Sequence, residues 1–319
     1  MISPRALLVT AVSATLVGSA FIYGRFQRDI AEARTRATAG GTVVQTRCGP
    51  IEYEEAGHGL PVLVVHGAGG GHDQGMSFAR PLVQRSFRVI AVSRFGYLGT
   101  PLPTDASAEA QADAHACLLD ALAIPQAAII GVSAGGPSSM QFAIRYPDRC
   151  AALVLLVPLA WRPPDAPGSA TERSALQQNI LSRVVGSNFV FWSAMNLAHV
   201  RAMSLVLATP VEVIKAASAA ERERAETILE QILPISDRAA GLRNDARIAT
   251  ALDRYDLESI RAPTLIISLR DDLYGTFTGA EYTAQNIRGS RFVGYERGGH
   301  VFLEQHEAVL KKMVAFLRR

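Results

Sequence analysis

Short unbroken apolar runs recur along this chain, most of them ending on a glycine-rich or polar segment. Residues 62–65 (VLVV), 127–130 (AAII), 151–157 (AALVLLV) and 263–268 (PTLIIS) are too short for helices and lack the alternation of a half-exposed strand. They predict parallel strands covered on both faces. Residues 291–295 (RFVGY) read as a last strand and the amphipathic stretch 301–317 as a last helix. Residues 136–146 (GPSSMQFAIRY) suit a helix with a small first turn, stopped by Pro147. Strands that alternate with helices predict an α/β class with a mostly parallel sheet and helices on both faces.

Two stretches break this alternation. Between Pro158 and Pro263 the chain is too long for a simple crossover. Residues 171–185, 189–207, 210–233 and 235–255 have helical periodicity and are separated by Gly186, Pro210 and Pro234, which predicts an inserted helical cap at 161–255. The core is then made of residues 42–160 and 256–319. Trp161, Phe189, Phe191, Trp192 and Met195 are candidates for an apolar lining under that cap, with ordinary packing as the plainer reading of an aromatic cluster.

The second stretch is N-terminal. Residues 6–23 (ALLVTAVSATLVGSAFIY) are uncharged, apolar and just long enough to span a bilayer as a helix, so residues 1–41 read as a single-pass membrane anchor plus linker. A cleaved signal peptide on an exported protein is the alternative, because Gly18-Ser19-Ala20 resembles a small-residue cleavage site. Phe21, Ile22 and Tyr23 continue the apolar run beyond that site and favour the anchor. Arg25 and Arg28 against Arg5 argue for a cytoplasmic core by the positive-inside tendency, though Asp29 and Glu32 accompany them. Residues 27–41 are polar and read as a tether.

Candidate chemistry sits where predicted strands end. Gly131-Val132-Ser133-Ala134-Gly135 directly follows the 127–130 run. It has the form of a nucleophile elbow, a sharp turn that lifts a serine hydroxyl clear of the sheet and leaves no room for side chains two positions either side. The 62–65 run flows into His66-Gly67-Ala68-Gly69-Gly70-Gly71, a loop whose backbone can approach a ligand closely. Its amides suit an oxyanion: Ala134 would give one donor and Ala68 the other, with Gly69 as the neighbouring option. Asp271-Asp272 follow the 263–268 strand, and Glu296-Arg297-Gly298-Gly299-His300 follow the last one. His300 can take a proton from Ser133 while a buried carboxylate holds its ring.

From residue 42 to 319 the chain resembles the α/β-hydrolase superfamily, in the HG-x-G loop, the elbow, the acid after a late strand and the G-G-H before the last helix. The resemblance implies an eight-stranded, mostly parallel sheet and a Ser133, Asp272, His300 triad. Leu269 stands where the family's G-x-x-D turn has its glycine, so Asp272 is the aligned acid and Asp271 a substitute. Ser93-Arg94-Phe95-Gly96-Tyr97 resembles the D-x-x-G-x-G/S segment, with Ser93 for the usual aspartate and Leu98 for the usual small residue. A serine at the elbow, where some relatives carry aspartate, argues against epoxide hydrolysis and dehalogenation.

The implied activity is cleavage of a small apolar ester, lactone or related carbonyl compound through an acyl-enzyme, with no cofactor and no metal. Relatives use the same residues for carbon–carbon bond hydrolysis or as perhydrolases and haloperoxidases. A reading of another class is a non-catalytic binding module that keeps the fold. A net charge of +3 over 319 residues, without a basic block interleaved with aromatics, excludes a nucleic-acid partner. Cys48, Cys117 and Cys150 are scattered without C-x-x-C spacing, which argues against a zinc site and against a disulfide framework beyond one bridge; Cys117 reads as a small core residue. His58, His72, His115, His199 and His306 read as satisfied surface or core residues, and His66 as a residue that shapes its loop.

Overall fold

The computed structural model describes residues 4–164 and 186–319, with side chains from residue 17 onward. The predicted apolar runs become adjacent strands. β1 (Thr42–Thr46), β2 (Gly49–Ala56), β3 (Leu60–Val65), β4 (Phe87–Val92), β5 (Ala127–Val132), β6 (Cys150–Leu156), β7 (Thr264–Leu269) and β8 (Arg291–Tyr295) form an eight-stranded sheet. Their order is β1-β2-β4-β3-β5-β6-β7-β8. Pairings β1–β2 and β2–β4 are antiparallel, and all those from β4 to β8 are parallel.

The unbroken apolar runs are explained by cover on both sides. Val62 and Val64 of β3 join one core cluster with Met76, Leu82, Leu310 and Met313, from α2 (His72–Val83) and α11 (His306–Leu317). Leu63 and Val65 point the other way, into a cluster with Leu118, Phe142 and Ala280 of α3 (Ala108–Ala121), α4 (Gly136–Arg145) and α10 (Thr276–Asn286). Successive strand residues face opposite sides, so a strand covered by helices on both sides needs every residue apolar.

Between β6 and β7 the described residues form α5 (Asn188–Leu197), α6 (His199–Val206), α7 (Val211–Ala216), α8 (Ala219–Glu230) and α9 (Ala239–Thr250), the cap. The predicted helix at 171–185 lies outside the described residues. The longer predicted helices are each shortened or divided. Residues 189–207 break at Ala198, whose ψ of 43° is not helical. Residues 210–233 break at Ser218, whose hydroxyl caps α8 by accepting the Glu221 amide. Residues 235–238 make a tight 3-10 turn before α9. The last helix begins at His306 rather than 301, because Phe302 and Glu304 adopt positive φ.

The N-terminal segment differs most from expectation. Residues 27–38 are not a tether; they continue α1 (Pro4–Thr38). Phe26, Ile30, Ala33 and Ala37 recur at helical spacing and are buried, the first three in one cluster with Phe191, Trp192 and Met195 of α5 and Leu229 of α8. So narrow a stripe is hidden among polar residues when composition alone is read. Trp192 Nε1 donates to Asp29 Oδ2 at 2.9 Å, and Arg36 donates to the Glu230 carbonyl at 2.9 Å. Among the residues whose side chains are described no helix is long and apolar enough to cross a membrane; residues 6–16 of the span expected over 6–23 lie outside them. Val17, Phe21, Ile22 and Tyr23 are exposed.

Cys117 is not a plain core residue either. It forms a disulfide with Cys48 across 69 residues, tying the β1–β2 turn to α3. Cys150 is free and buried, and burial pushes its thiol up to about 12.

The α1 seam carries a test. Ile30→Asp would bury a charge in that cluster, and an unpaired buried charge is destabilising by several kcal/mol. Loss of hydrogen-exchange protection over residues 26–37, with β5 still protected, is the expected result.

Candidate active site

β5 ends at Val132, and the chain makes a 3-10 turn, Ser133–Gly135, before α4. Ser133 takes a φ of 50°, in the left-handed region that costs a non-glycine residue about 1–3 kcal/mol. Close packing explains its glycines. A Cβ on Gly131 would lie 2.4 Å from Ser139 Oγ, and one on Gly135 would lie 2.4 Å from the Val65 carbonyl.

Three side chains from three strand ends meet at this turn. His300 Nε2 lies 2.9 Å from Ser133 Oγ, and His300 Nδ1 lies 2.8 Å from Asp272 Oδ2. With the Nδ1 proton donated to Asp272, Nε2 accepts the serine hydroxyl. Asp272 is only 5% exposed and also accepts from the Tyr274 amide at 2.9 Å and from the Thr276 hydroxyl. Burial pushes its carboxyl up, but His300, Thr276 and Tyr274 outweigh burial and hold it below the usual carboxylate range. The Tyr274 ring packs edge-on against the imidazole, centroids 4.9 Å apart.

The two adjacent aspartates do different work. Asp271 points away from the His300 ring and accepts the Gly298 and Gly299 amides at 3.0 and 2.9 Å. It shapes the turn that delivers His300. Leu269, in place of the glycine usual in the family, is fully buried at the end of β7.

The glycine loop after β3 is held from beneath by two buried arginines. Arg94 donates to the His66 and Gly67 carbonyls at 2.9 and 3.2 Å, and its guanidinium forks onto Asp245 of α9 with two contacts of 2.7 Å. Arg238 donates to the Gly70 carbonyl at 2.5 Å and to Asp73 Oδ2 at 2.7 Å. Tyr97 donates to Asp245 at 2.5 Å and accepts the Gly69 amide at 3.3 Å. Since the Gly69 amide is engaged there, Ala68, exposed on the cavity beside Ser133, is the loop's donor candidate. Ala134 follows Ser133 at the start of the turn.

His66 does shape this loop. Its Nε2 accepts the Arg94 amide at 3.0 Å while Nδ1 lies 2.7 Å from the Gly67 carbonyl. Burial and the Arg94 charge pull its pKa well down, so the ring stays neutral. Ser93, where the family has aspartate, donates to Glu52 at 2.8 Å and accepts the His72 amide at 3.0 Å. Arg94, Tyr97, Asp245, Arg238 and Asp73 were not singled out from the sequence as site residues. The segment 93–97 was the one visible signal, and its partner Asp245 lies 151 residues from Arg94.

Above Ser133 and His300 opens a cavity of about 230 Å³, between α2 on one side and α6 and α8 on the other. Its apolar wall is built by Phe78, Val206, Leu207, Ile228 and Ile232. The aromatic candidates of the cap do not line it. Phe191, Trp192 and Met195 are buried against α1, Phe189 packs edge-on to Phe26 at 5.1 Å, and Trp161 packs on Tyr282 at 4.9 Å. His306, by contrast, does line the cavity.

Behind the elbow, His115 of α3 is fully buried with Nε2 3.2 Å from Ser138 Oγ, and burial, with the charge of Arg94, pulls its pKa down to about 3. The unfolded chain would take up this proton near pH 6.5, so the contribution of neutral His115 is complete above that pH and is lost as pH falls toward 3. His115→Gln should make the decline in stability between about pH 6 and 4 shallower by about 1.4 kcal/mol per pH unit, one proton's worth. Unfolding midpoints at stepped pH would check it.

A profile of the alpha/beta hydrolase fold matches residues 61–307. An alpha/beta hydrolase fold protein from Nakamurella multipartita is similar in structure, with a TM-score of 0.74 and 31% identity over 87% of this chain and 99% of that one. The uncharacterized hydrolase YcgS of Bacillus subtilis is 28% identical over 270 residues, 82% of this chain and 91% of its own length. A 2-hydroxy-6-oxononadienedioate/2-hydroxy-6-oxononatrienedioate hydrolase of Burkholderia vietnamiensis is 27% identical over 282 residues, 84% of this chain and 91% of its own length. With the sheet order, the strained turn after β5 and the match across most of its length all in agreement, the chain belongs to the alpha/beta hydrolase fold family and is a hydrolase.

Proposed function

We propose that this protein is a serine hydrolase that cleaves a small apolar ester, lactone or related carbonyl compound through an acyl-enzyme. The observation that carries the reading is the Ser133–His300–Asp272 relay, at 2.9 and 2.8 Å, opening on a cavity walled mainly by apolar side chains.

In this reading Ser133 Oγ attacks the carbonyl carbon as its proton passes to His300 Nε2. Asp272 remains ionised and stabilises the imidazolium so formed. The Ala68 and Ala134 amides receive the negative charge that grows on the carbonyl oxygen, each donor contributing about 3 kcal/mol in a site with little water. His300 then returns its proton to the leaving oxygen, and a water activated by the same imidazole hydrolyses the acyl-serine. The apolar wall supplies binding energy for a hydrocarbon acyl group, which need not change between ground and transition state.

A second reading keeps the same residues and replaces the ester by a vinylogous diketone, whose carbon–carbon bond is cleaved at the carbonyl. Its support is the similarity along most of both chains to the hydrolase of Burkholderia vietnamiensis. Parallel assays with p-nitrophenyl esters of increasing chain length and with a dienol-diketone separate the two.

The full chain should be labelled by a fluorophosphonate probe, and Ser133→Ala and His300→Ala should both lose the label. Undiminished labelling of Ser133→Ala would sink the mechanism. The neighbouring aspartates should separate in ester turnover. Asp272→Asn is expected to lower kcat by roughly 10³–10⁴, because the amide favours the wrong imidazole tautomer. Asp271→Asn, which weakens two hydrogen bonds to the turn before His300, should cost about tenfold, on the order of 1.4 kcal/mol.

A further inference from the structure

The segment that follows His300 is held out of its preferred shape. Phe302 and Glu304 have φ of 60° and 63°, directly after Gly298 and Gly299 at 141° and 62°. Glycine bears such angles without cost, but phenylalanine and glutamate do not. A strained turn persists only where its surroundings over-determine it.

Those surroundings are the first turns of α8. Arg224 Nη2 donates to the Val301 carbonyl at 2.7 Å, one residue beyond His300. Glu221 Oε2 accepts the Glu304 amide at 3.2 Å, and Glu304 Oε1 accepts the Ser218 amide at 2.5 Å. Glu221 and Arg224 are themselves paired at 2.7 Å, with side chains only 17% and 22% exposed. Burial pushes the Glu221 carboxyl up, and Arg224 and the Glu304 amide more than offset it. Residues 218, 221 and 224 are three apart, so one face of α8 grips the turn at both ends. Arg224 also lines the cavity, whereas Glu221 does not.

We propose that the Glu221–Arg224 pair is a positioning device for the imidazole: α8 holds the left-handed turn 301–304, and through it His300, in reach of Ser133. Seating of the cap and placement of the base are then a single event. A cap that swings open releases Val301 and Glu304, lets the turn relax, and carries His300 away from the serine. An acyl chain lying along Ile228 and Ile232 holds α8 down and so favours the assembled arrangement. The inference rests on the reading of His300 as the base.

The test uses Glu221→Gln in the full chain, with Glu304→Gln as a second variant that weakens only the outer, exposed grip by removing its charge. Arg224→Lys keeps the charge as a conservative control. On p-nitrophenyl butyrate, Glu221→Gln is expected to lower kcat about tenfold with KM within twofold. Glu304→Gln should lower kcat about threefold, and Arg224→Lys should retain at least half of it. The downfield proton resonance of the His300–Asp272 hydrogen bond should broaden or vanish in Glu221→Gln while thermal unfolding stays cooperative. Wild-type kcat in either glutamine variant, or a loss that falls on KM instead, overturns the proposal. Should Glu221→Gln fail to fold, Glu304→Gln decides by the same criteria. Absence of ester turnover and of fluorophosphonate labelling in the wild type would count against the serine hydrolase reading instead, and the proton resonance would still decide the clamp: a signal unchanged in the folded variants overturns it.

Discussion

A serine hydroxyl can stand clear of a sheet only if its backbone turns sharply, and at Ser133 that turn is a φ of 50°. The strain is tolerated because its neighbours leave it no alternative. Gly131 lies against Ser139, Gly135 against the Val65 carbonyl, and the Ser133 carbonyl accepts the Leu159 amide at 2.9 Å. Ser133 is thereby fixed relative to β3, β5 and β6 at once. The glycine loop after β3 then lies close against the serine, where a Cβ on Gly67 would be 3.1 Å from Ser133 Cβ. A turn relaxed by some tens of degrees would move the hydroxyl away from that loop.

Buried ion pairs extend this rigidity upward into the cap. Arg94 and Arg238 are 4% and 0% exposed, and each joins loop carbonyls to an aspartate on another element. Such pairs contribute little net stability, since desolvation offsets much of the attraction. Their value lies in geometry: a guanidinium fork accepts few arrangements, so α9 and the glycine loop are locked in one relative position. Removal of either partner would leave a charge buried and unpaired, at about 3–5 kcal/mol. The glycine loop beside Ser133 and the α9 part of the cap are thus specified together.

Much of this was legible along the chain, for reasons that differ from place to place. Strands covered on both faces have no polar positions, so β3, β5, β6 and β7 were visible as unbroken runs. Ser133 and His300 were visible because local backbone demands surround them with glycine. Asp272 was visible only together with Asp271; the side chains that separate them, Thr276 and His300 on one and the Gly298 and Gly299 amides on the other, come together only in the folded chain. The packing partner of the aromatics of α5 was hidden for a related reason. Their burial under α1 pairs residues more than 160 positions apart, and no local pattern encodes that. The 3-10 turn at 235–238 and the break at Ala198 were hidden because helical periodicity continues across them.

The seam between α1 and the cap sets an order of assembly. Arg25 and Asn196, which meet across it, are 171 residues apart in sequence. On a chain that emerges N-terminus first, the apolar stripe of α1 is made before any strand and finds its partner only after β6 and α5 have followed it. Closing so long a loop is slow, and the uncovered stripe can meanwhile pair with other apolar surfaces. Strands β1 to β6 are therefore made while the stripe of α1 still waits for the cap, and docking of α1 becomes a long-range step in the life of the nascent chain.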